Sequence, residues 1–264
     1  MSYLTITSKN NDRVKRVCLL AASPVQRRKQ GLFVLEGLRL CRDAAQNGVR
    51  ASEVYFRKDV ADKFSDDLNL LINSADSAFL VGDDVFEKMS ATESSQGVIS
   101  VIDASALPNG CEPSASGRYV ACENIADPSN LGAIARTAEA LGCDGLILLG
   151  RCCDRLSPKS LRASMGALLR LPVMCFEDAL LGADELKAAG LKLFASVVDP
   201  SAEPIDSVPL SAGSVAIIGN EANGISDALL NASDFTFTIP IKGKAESFNA
   251  AAAASIIIWE LMKR

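Results

Sequence analysis

Residues 216–226 read AIIGNEANGIS, and they join an apolar stretch to a glycine-bounded turn that carries a carboxylate. The apolar half predicts a buried β-strand at residues 215–218, and the residues after the turn predict a short helix. The glycines permit a tight turn that exposes backbone amides beside Glu221. Because ligands of α/β sheets bind beyond the carboxyl ends of the strands, Glu221 is a candidate site residue. An ordinary strand-to-helix turn would fit the same residues.

Apolar strands and helices continue to alternate on both sides of this segment. Further strands are predicted at 119–122, 146–149, 173–176, 193–197 and 235–239, with helices at 131–141 and 178–189 and a closing helix at 247–262. Because these strands are continuously apolar, they predict a largely parallel sheet covered by helices on both faces. The C-terminal part is therefore expected to be an open α/β domain.

The first hundred residues are predicted to form a smaller α/β/α layer. Helices are expected at 10–22 and 37–47, with a short helix after Pro24, and strands at 32–35, 53–56 and 97–102. Between the halves, residues 104–117 (ASALPNGCEPSASG) are rich in Ser, Pro, Gly and Ala and show no periodicity. We therefore expect a first domain at residues 1–103, a linker at 104–117 and a second domain at 118–264.

Charge is distributed unevenly along the chain. The 264 residues carry a net charge of −5, yet residues 1–58 hold twelve Lys and Arg against four Asp and Glu, a net +8 that leaves −13 for the remainder. A local basic surface attracts a polyanion whatever the global sum, so the first half is a candidate RNA-binding surface. An ordinary solvated helical face would carry the same charges, and charge alone does not separate these two interpretations.

Composition excludes several kinds of site. Without histidine, Ser-His-Asp and Cys-His mechanisms are ruled out and common zinc sites lose their usual partner, so no metal is expected. The eight cysteines form no C-x-x-C pair, and Cys122, Cys143 and Cys175 are expected to be small buried side chains in a reducing cytoplasm. No apolar run is long enough to span a membrane and no secretory signal is present, so a cytoplasmic location is expected.

Residues 123–138, ENIADPSNLGAIARTA, lie between a predicted strand and a predicted helix. Asp127-Pro128 is typical of a turn, and Ser129 or Asn130 is expected to cap the helix. Arg136 then lies almost two turns inside the helix, where an arginine suits phosphate or ribose recognition. The alternative is a capping asparagine with an unrelated surface arginine.

Residues 237–249, FTIPIKGKAESFN, join the last predicted strand to an alanine-rich helix. Ser247 is expected to cap that helix, with Asn249 in its first turn. The small residues that follow favour close helix packing, as at a subunit interface. A well-capped terminal helix without a further role is the alternative.

Taken together, in this order and spacing, three segments resemble the SpoU family of RNA ribose methyltransferases, also called the TrmH family. They are NLGAIARTA near residue 130, IIGNEANG near 220, and IPI with SFN near 245. The resemblance covers residues 118–264, and FVLEGLRL at residues 33–40 resembles the start of the family's accessory, ribosomal-protein-like RNA-binding domain. It implies a trefoil-knotted α/β fold, whose last helix threads through a loop, and a homodimer with the active site at its interface.

The resemblance also implies a cofactor and a set of site residues. S-adenosylmethionine would lie within the knot, and Gly219, Ile239 and Phe248 would line its pocket. The catalytic and ribose-binding set would be Asn130, Arg136, Glu221, Ser247 and Asn249. Phe248 and Ile241 stand where the family usually has leucine and methionine, so the shape of the cofactor pocket is expected to differ from that of the family.

The implied activity is transfer of a methyl group from S-adenosylmethionine to a ribose 2′-hydroxyl of RNA. The basic first half favours ribosomal RNA over transfer RNA as the substrate. Because a guanidinium holds its proton too strongly to act as a base, Arg136 is expected to bind the substrate phosphate and orient the hydroxyl. The alternatives are a non-catalytic knotted RNA-binding scaffold, disfavoured by the five retained polar residues, and transfer to a base nitrogen, disfavoured by SFN and the Asn130/Arg136 pair.

Overall fold

The protein, as a computed structural model, is described over residues 3–92, 95–108 and 112–263. It divides into two compact units, one of Met1–Leu107 with Asp154–Arg170 and the other of Pro108–Cys153 with Leu171–Arg264. Residues 154–170 therefore pack with a unit that is distant from them in sequence. The domain boundaries at residues 103 and 118 stay a prediction, and residues 109–111 of the predicted linker lie outside the described residues.

The first unit is built around a five-stranded sheet. Along residues 3–107 its elements are β1 (Leu4–Ile6), α1 (Asp12–Ala22), α2 (Pro24–Gln30), β2 (Leu32–Glu36), α3 (Leu38–Gln46), β3 (Ala51–Phe56), α4 (Lys58–Lys63), α5 (Ser65–Asn73), β4 (Ala75–Val81), α6 (Asp83–Met89), β5 (Val98–Asp103) and a 3-10 turn (Ala104–Ala106). The strand order is β1-β4-β3-β5-β2. β3 runs parallel to β4 and antiparallel to β5, so the sheet is mixed.

The predicted elements of the first unit are present, with small shifts at their ends. Helix α1 begins after Asn11, whose side chain accepts a hydrogen bond from the Arg13 amide, and it buries Val14, Val17 and Leu20 against the sheet. β3 begins two residues earlier than predicted. The sequence did not locate β1 and β4, because the exposed and half-buried residues of β1 and the first half of β4 interrupt their apolar pattern.

The second half of the chain contributes a seven-stranded sheet. The elements after residue 107 are β6 (Arg118–Glu123), α7 (Pro128–Leu141), β7 (Gly145–Leu149), α8 (Pro158–Ser164), α9 (Ala167–Arg170), β8 (Val173–Phe176), α10 (Ala179–Ala188), β9 (Lys192–Ser196), β10 (Glu203–Pro204), β11 (Ser214–Ile218), α11 (Asp227–Ala232), β12 (Phe235–Thr238) and α12 (Ala250–Met262). Helices α8 and α9 belong to the first unit.

Every strand pair in the seven-stranded sheet is parallel, in the order β10-β12-β9-β11-β6-β7-β8. All residues of β7 and β11 are buried, which confirms that continuously apolar strands here mean a doubly covered parallel sheet. From β6 the chain proceeds to β7 on one side, while β11 lies on the other. The crevice beyond the carboxyl ends of β6 and β11 is therefore the topological switch point of the sheet.

Two further predictions concern exposure. Cys122 and Cys143 are buried as expected, and burial raises the pKa of the Cys143 thiol to about 12. The prediction for Cys175 is wrong, because β8 is the edge strand and Cys175 lies exposed on it. Among the described residues, no helix is both long and apolar enough to cross a membrane.

Candidate functional site

The crevice at the switch point brings together segments that are far apart in sequence. β6 and β11 pair in register, with Ile218 opposite Cys122, so the chain leaves both strands at the same edge of the sheet. Residues 124–127 follow β6, and residues 219–226 follow β11. Glu221, in the segment after β11, therefore faces the start of α7, and the two segments can share hydrogen bonds.

Glu221 is the centre of this arrangement. One of its carboxylate oxygens, Oε1, accepts hydrogen bonds from Asn130 Nδ2 at 2.8 Å and from the Asp127 amide at 3.3 Å, while Oε2 accepts from the Ala126 amide at 3.2 Å. Partial burial raises the pKa of this carboxyl, but the hydrogen bonds from Asn130 and the backbone amides together outweigh burial, so its pKa is lowered. Glu221 is therefore an ionised acceptor at neutral pH.

The start of α12 joins the same network. Asn249 Nδ2 donates to Asn130 Oδ1 at 3.1 Å, and Asn249 Oδ1 accepts from the amides of Ala251 and Ala252. Asn249 is thus the N-cap of α12, and the predicted cap at Ser247 is wrong, because the helix begins only at Ala250. We call the linked side chains of Asn130, Glu221 and Asn249 the carboxylate–amide junction.

The cap of α7 also differs from the prediction. Asp127, and neither Ser129 nor Asn130, caps the helix, and its side chain accepts from the Ser129 amide at 3.0 Å. Pro128 takes the first helical position, where its missing N–H costs nothing and its fixed φ suits the helix. Asn130 is thereby released from capping, lies buried in the first turn, and turns its amide towards Glu221.

The turn after β11 depends on close backbone approach. Asn220 and Gly224 exchange two backbone hydrogen bonds of 2.9 Å, which folds the chain back onto Gly219. A Cβ built on Gly219 would lie 2.2 Å from the backbone carbon of Gly224, so only glycine fits there. Gly219 therefore shapes the turn that presents Glu221.

Three polar residues of this region were not among the predicted site residues. Asn220 Nδ2 donates to the Asn124 carbonyl oxygen at 2.8 Å and ties the two crossing segments together. The buried carboxylate of Glu123 accepts from the Ser226 amide and hydroxyl at 2.8 and 2.6 Å, fixing the start of α11. An acidic residue at the end of a buried strand was the available signal for Glu123, whereas nothing local distinguishes Asn220 or Asn124.

Two predicted catalytic residues stand apart from the junction. Arg136 is exposed on α7, and no described residue pairs with its guanidinium. Ser247 is exposed in the loop before α12. The structure therefore brings together three of the five predicted polar residues and leaves Arg136 and Ser247 facing solvent.

An apolar cavity lies between the ends of β9 and β12 and the start of α12. Its lining residues are Ser196, Val197, Val198, Thr238, Ile239, Ile241, Phe248, Ala253 and Ile257. Ile239 and Phe248, both predicted to contact the cofactor, are among them, whereas Gly219 is not. The cavity encloses about 70 Å³ and suits one apolar end of a ligand rather than a whole small molecule. Within residues 3–92, 95–108 and 112–263, no cluster of three His, Cys, Asp or Glu side chains could hold a metal ion.

The sequence matches two family models. Residues 117–259 match the model described as the SpoU rRNA Methylase family, and residues 11–100 match the model described as the MRM3-like substrate binding domain. The first match spans all the residues of the junction and of the apolar cavity.

Individual relatives match along most of the chain. It is 30% identical over 257 residues, 97% of this chain and 98% of the relative, to the 23S rRNA (guanosine(2553)-2′-O)-methyltransferase RlmP of Bacillus subtilis strain 168. It is 34% identical over 141 residues, 52% of this chain and 49% of the relative, to a 23S rRNA (uridine(2479)-2′-O)-methyltransferase of Streptomyces viridochromogenes. The crystal structure of an AdoMet-bound rRNA methyltransferase from Sinorhizobium meliloti superposes with a TM-score of 0.85 at 25% identity, covering 98% of this chain and 97% of that one.

Proposed function

The chain belongs to the SpoU rRNA methylase family, as its three quoted segments predicted, and on that premise we propose that it transfers a methyl group from S-adenosylmethionine to a ribose 2′-hydroxyl of RNA. The observation that carries this proposal is the carboxylate–amide junction. It joins residues from the three family segments at the switch point of a parallel sheet, where such sheets bind ligands.

S-adenosylmethionine is the proposed methyl donor, and when bound it supplies an electrophilic methyl group on a sulfonium centre. The apolar side chains of Ile239 and Phe248 fit a flat, weakly polar group such as the adenine ring. Ser196 and Thr238 supply the hydroxyls in the lining of the same cavity. We propose that Gly219 contributes indirectly, by holding the adjoining turn close to the sheet.

The residues of this chain position the nucleophile. A ribose hydroxyl is a weak nucleophile and must be aimed at the methyl group while it loses its proton. Arg136 has no carboxylate partner among the described residues, so its guanidinium is available to bind a substrate phosphate and orient the hydroxyl. We propose that a phosphate oxygen or water, and not a side chain of this protein, would accept the proton of the hydroxyl.

The carboxylate–amide junction holds the machinery in place. Glu221 fixes the backbone amides of Ala126 and Asp127, and through Asn130 it fixes Asn249 at the start of α12. We propose that Asn130, Glu221 and Asn249 set the shape of the ribose site, and that Ser247, exposed beside it, donates a hydrogen bond to the bound nucleotide.

Ribosomal RNA is the proposed substrate class. Both named relatives act on 23S rRNA, one on a guanosine and the other on a uridine. The match of residues 11–100 to a substrate-binding domain supports the same interpretation. We propose that residues 1–103 form an RNA-binding domain and that residues 118–264 form the domain that carries out the methyl transfer. Residues 104–117 would be the linker between these two domains.

We further propose a cytoplasmic homodimer with a trefoil knot in the methyltransferase domain. Trp259 is 59% exposed and Ile256 is 37% exposed on α12, and large apolar side chains at such exposure favour burial against a second copy. Arg136 would then reach a nucleotide at the dimer interface. The proposed knot rests on the membership of residues 117–259 in the SpoU family.

Methyl transfer to isolated RNA tests the proposed function. The full chain is incubated with radiolabelled S-adenosylmethionine and with either deproteinised large-subunit ribosomal RNA or transfer RNA from a strain that lacks the gene. We expect label in the ribosomal RNA, recovered after nuclease digestion as a 2′-O-methylnucleoside. Label on a base nitrogen would contradict the proposal, and so would the absence of cofactor binding in calorimetry. Label in transfer RNA alone would overturn the proposed substrate class.

A further inference from the structure

A second cleft, in the first unit, is lined by an unusual number of basic side chains. It encloses about 400 Å³ between α3, α4 and the segment before β5. Four cations and two carboxylates line it together with an aromatic ring, and the members that matter for binding are Arg39, Arg42, Arg57, Lys63, Asp59, Asp67 and Phe64. The cleft therefore carries a net charge of +2.

Two of the four cations are neutralised within the cleft. Arg42 Nη1 donates to both oxygens of Asp67 at 3.0 and 3.2 Å, and Arg57 Nη2 lies 3.0 Å from Asp59 Oδ2. Arg39 and Lys63 are exposed and have no carboxylate partner among the described residues. The excess charge of the cleft is thus carried by two free side chains, one on α3 and one on α4.

Elsewhere in the first unit, several of the basic residues counted in the sequence are held in ion pairs. Arg13 and Arg16 both pair with the buried carboxylate of Glu53. Arg27 is 5% exposed, pairs with Asp154 and donates to the carbonyl oxygen of Leu20. Arg50 pairs with Asp76 on the surface. Since a paired cation has already neutralised its charge, it adds little to binding of a polyanion.

The walls of the cleft are held in place by buried polar contacts. Gln96 Oε1 accepts from the Arg39 amide at 3.3 Å, so the start of α3 is already capped and the binding charge must come from side chains. The buried Glu36 carboxylate accepts from the Ala91 amide at 2.8 Å and the Thr92 hydroxyl at 2.5 Å, which anchors the chain leading towards Gln96. Phe64, between α4 and α5, is 48% exposed on the opposite wall.

We propose that this cleft binds single-stranded RNA, with Arg39 and Lys63 contacting backbone phosphates and a base stacking on Phe64. Two free cations on separate walls match a phosphate chain that runs between them. An exposed aromatic ring provides the face on which an unpaired base stacks. This inference rests on the proposed function, and it assigns the substrate contact of the first unit to three side chains.

Salt-dependent RNA binding by the full chain tests the inference. The probe is deproteinised large-subunit ribosomal RNA, and the variants are Arg39→Ala/Lys63→Ala and Phe64→Leu, which keeps apolar volume without an aromatic face. The control is Arg50→Ala, because Arg50 is equally basic but is paired with Asp76 and does not line the cleft. We expect the double variant to bind about tenfold more weakly, with a plot of log K against log salt shallower by roughly 1.4. Phe64→Leu should weaken binding about fivefold with little change in slope.

The outcomes separate this inference from the proposed function. Cofactor binding should match wild type in all variants, because the cleft lies outside the methyltransferase residues, and the melting temperature should change little, because the substituted side chains are exposed. If wild type methylates RNA but the double variant binds it as tightly as Arg50→Ala does, the cleft inference is wrong and the proposed function stands. If the double variant binds naked RNA normally yet fails only on ribosomal particles, the cleft contacts protein, which also overturns the inference. If wild type neither binds the cofactor nor methylates RNA, the proposed function is wrong, and the inference that rests on it is overturned as well.

Discussion

One carboxylate in each unit, Glu53 in the first and Glu221 in the second, is held by a different kind of partner. In the first unit, Glu53 is almost fully buried and takes two arginines, Arg13 and Arg16, together with the Tyr55 hydroxyl at 2.6 Å. In the second unit, Glu221 is held by neutral amides, while Arg136 on the same helix as Asn130 is left without a partner. Glu53 therefore holds two cations within the fold of the first unit, whereas Glu221 neutralises no cation and Arg136 stays unpaired.

The comparison teaches that a charge count along a sequence overstates the charge available for binding. Twelve basic residues in the first 58 predict a strongly basic surface, yet the ion pairs of Arg13, Arg16, Arg27, Arg42 and Arg50 remove much of it. Only the spatial arrangement separates fold-stabilising cations from those available to RNA. Substitutions of the paired and the unpaired residues test this division.

Arg136→Ala should reduce the rate of methyl transfer by about a hundredfold, because charge-assisted contacts to the substrate phosphate contribute about 3 kcal/mol. The melting temperature should not change, since Arg136 is exposed and unpaired. Arg136→Lys should restore little, because a compact ammonium lacks the planar fork. Single-turnover kinetics measure the rate, with the exposed Lys192→Ala as control. Wild-type kcat in Arg136→Lys would contradict an orienting role for the guanidinium.

Glu53→Gln should lower the free energy of unfolding of the first unit by about 2 kcal/mol. The substitution leaves Arg13 and Arg16 beside a buried neutral amide, although their partial exposure moderates the cost. Urea denaturation followed by circular dichroism measures it. Asp76→Asn, which breaks the exposed pair with Arg50, should cost about 0.5 kcal/mol or less. Equal losses for the two variants would show that burial of the ion pair does not matter here.

Glu221→Gln should slow methyl transfer about tenfold, with only a modest fall in the free energy of unfolding. A glutamine side chain has a single acceptor oxygen, so it loses at least one of the hydrogen bonds that the carboxylate accepts from Ala126, Asp127 and Asn130, and the cost is about 1.4 kcal/mol. The loss should appear in kcat with wild-type cofactor affinity by calorimetry, since Glu221 does not line the apolar cavity. A large stability loss with normal kcat would make Glu221 a structural residue only.

The pH dependence of Glu221 gives the smallest effect. Its folded-state pKa is lowered, so its contribution to stability is present above the ordinary carboxyl pKa of about 4.3 and is lost as the pH falls through the folded value. The unfolding free energies of wild type and Glu221→Gln should therefore differ by a constant amount between roughly pH 5 and 8, and converge only below about pH 4. A difference that changes near pH 6 would mean that the pKa is raised instead.

Much of the fold is predictable from the sequence because its signals are local. The apolar runs around residues 146–149 and 215–218 became β7 and β11 with boundaries shifted by one residue. The cap of α7 was predicted wrongly because several residues that can cap a helix lie side by side before it. Asp127 is the cap because Pro128, which follows it, is well suited to the first helical position. The packing of residues 154–170 with the first unit depends on partners such as Arg27, 127 residues away from Asp154, and has no local signal.

The candidate site could likewise be predicted only in part from the sequence. Residue types at the ends of strands pointed to Glu221, and the family resemblance pointed to Asn130 and Asn249. The 3.1 Å contact between Asn249 and Asn130 joins residues 119 positions apart, and only the folded chain produces it. The roles of Arg136 and Ser247 stay predictions, because within this single chain both side chains face solvent.

The most direct test of the central claim compares two asparagines of the site. Asn130→Ala removes the link between Glu221 and Asn249, whereas Asn223→Ala changes an exposed residue whose amide makes only a 3.4 Å contact to Asn220. The measurement is the single-turnover rate of 2′-O-methylnucleoside formation in large-subunit ribosomal RNA at saturating S-adenosylmethionine. We predict a loss of about a hundredfold for Asn130→Ala, which removes two side-chain hydrogen bonds, and less than about twofold for Asn223→Ala. Equal rates in the two variants would contradict a catalytic junction of Asn130, Glu221 and Asn249.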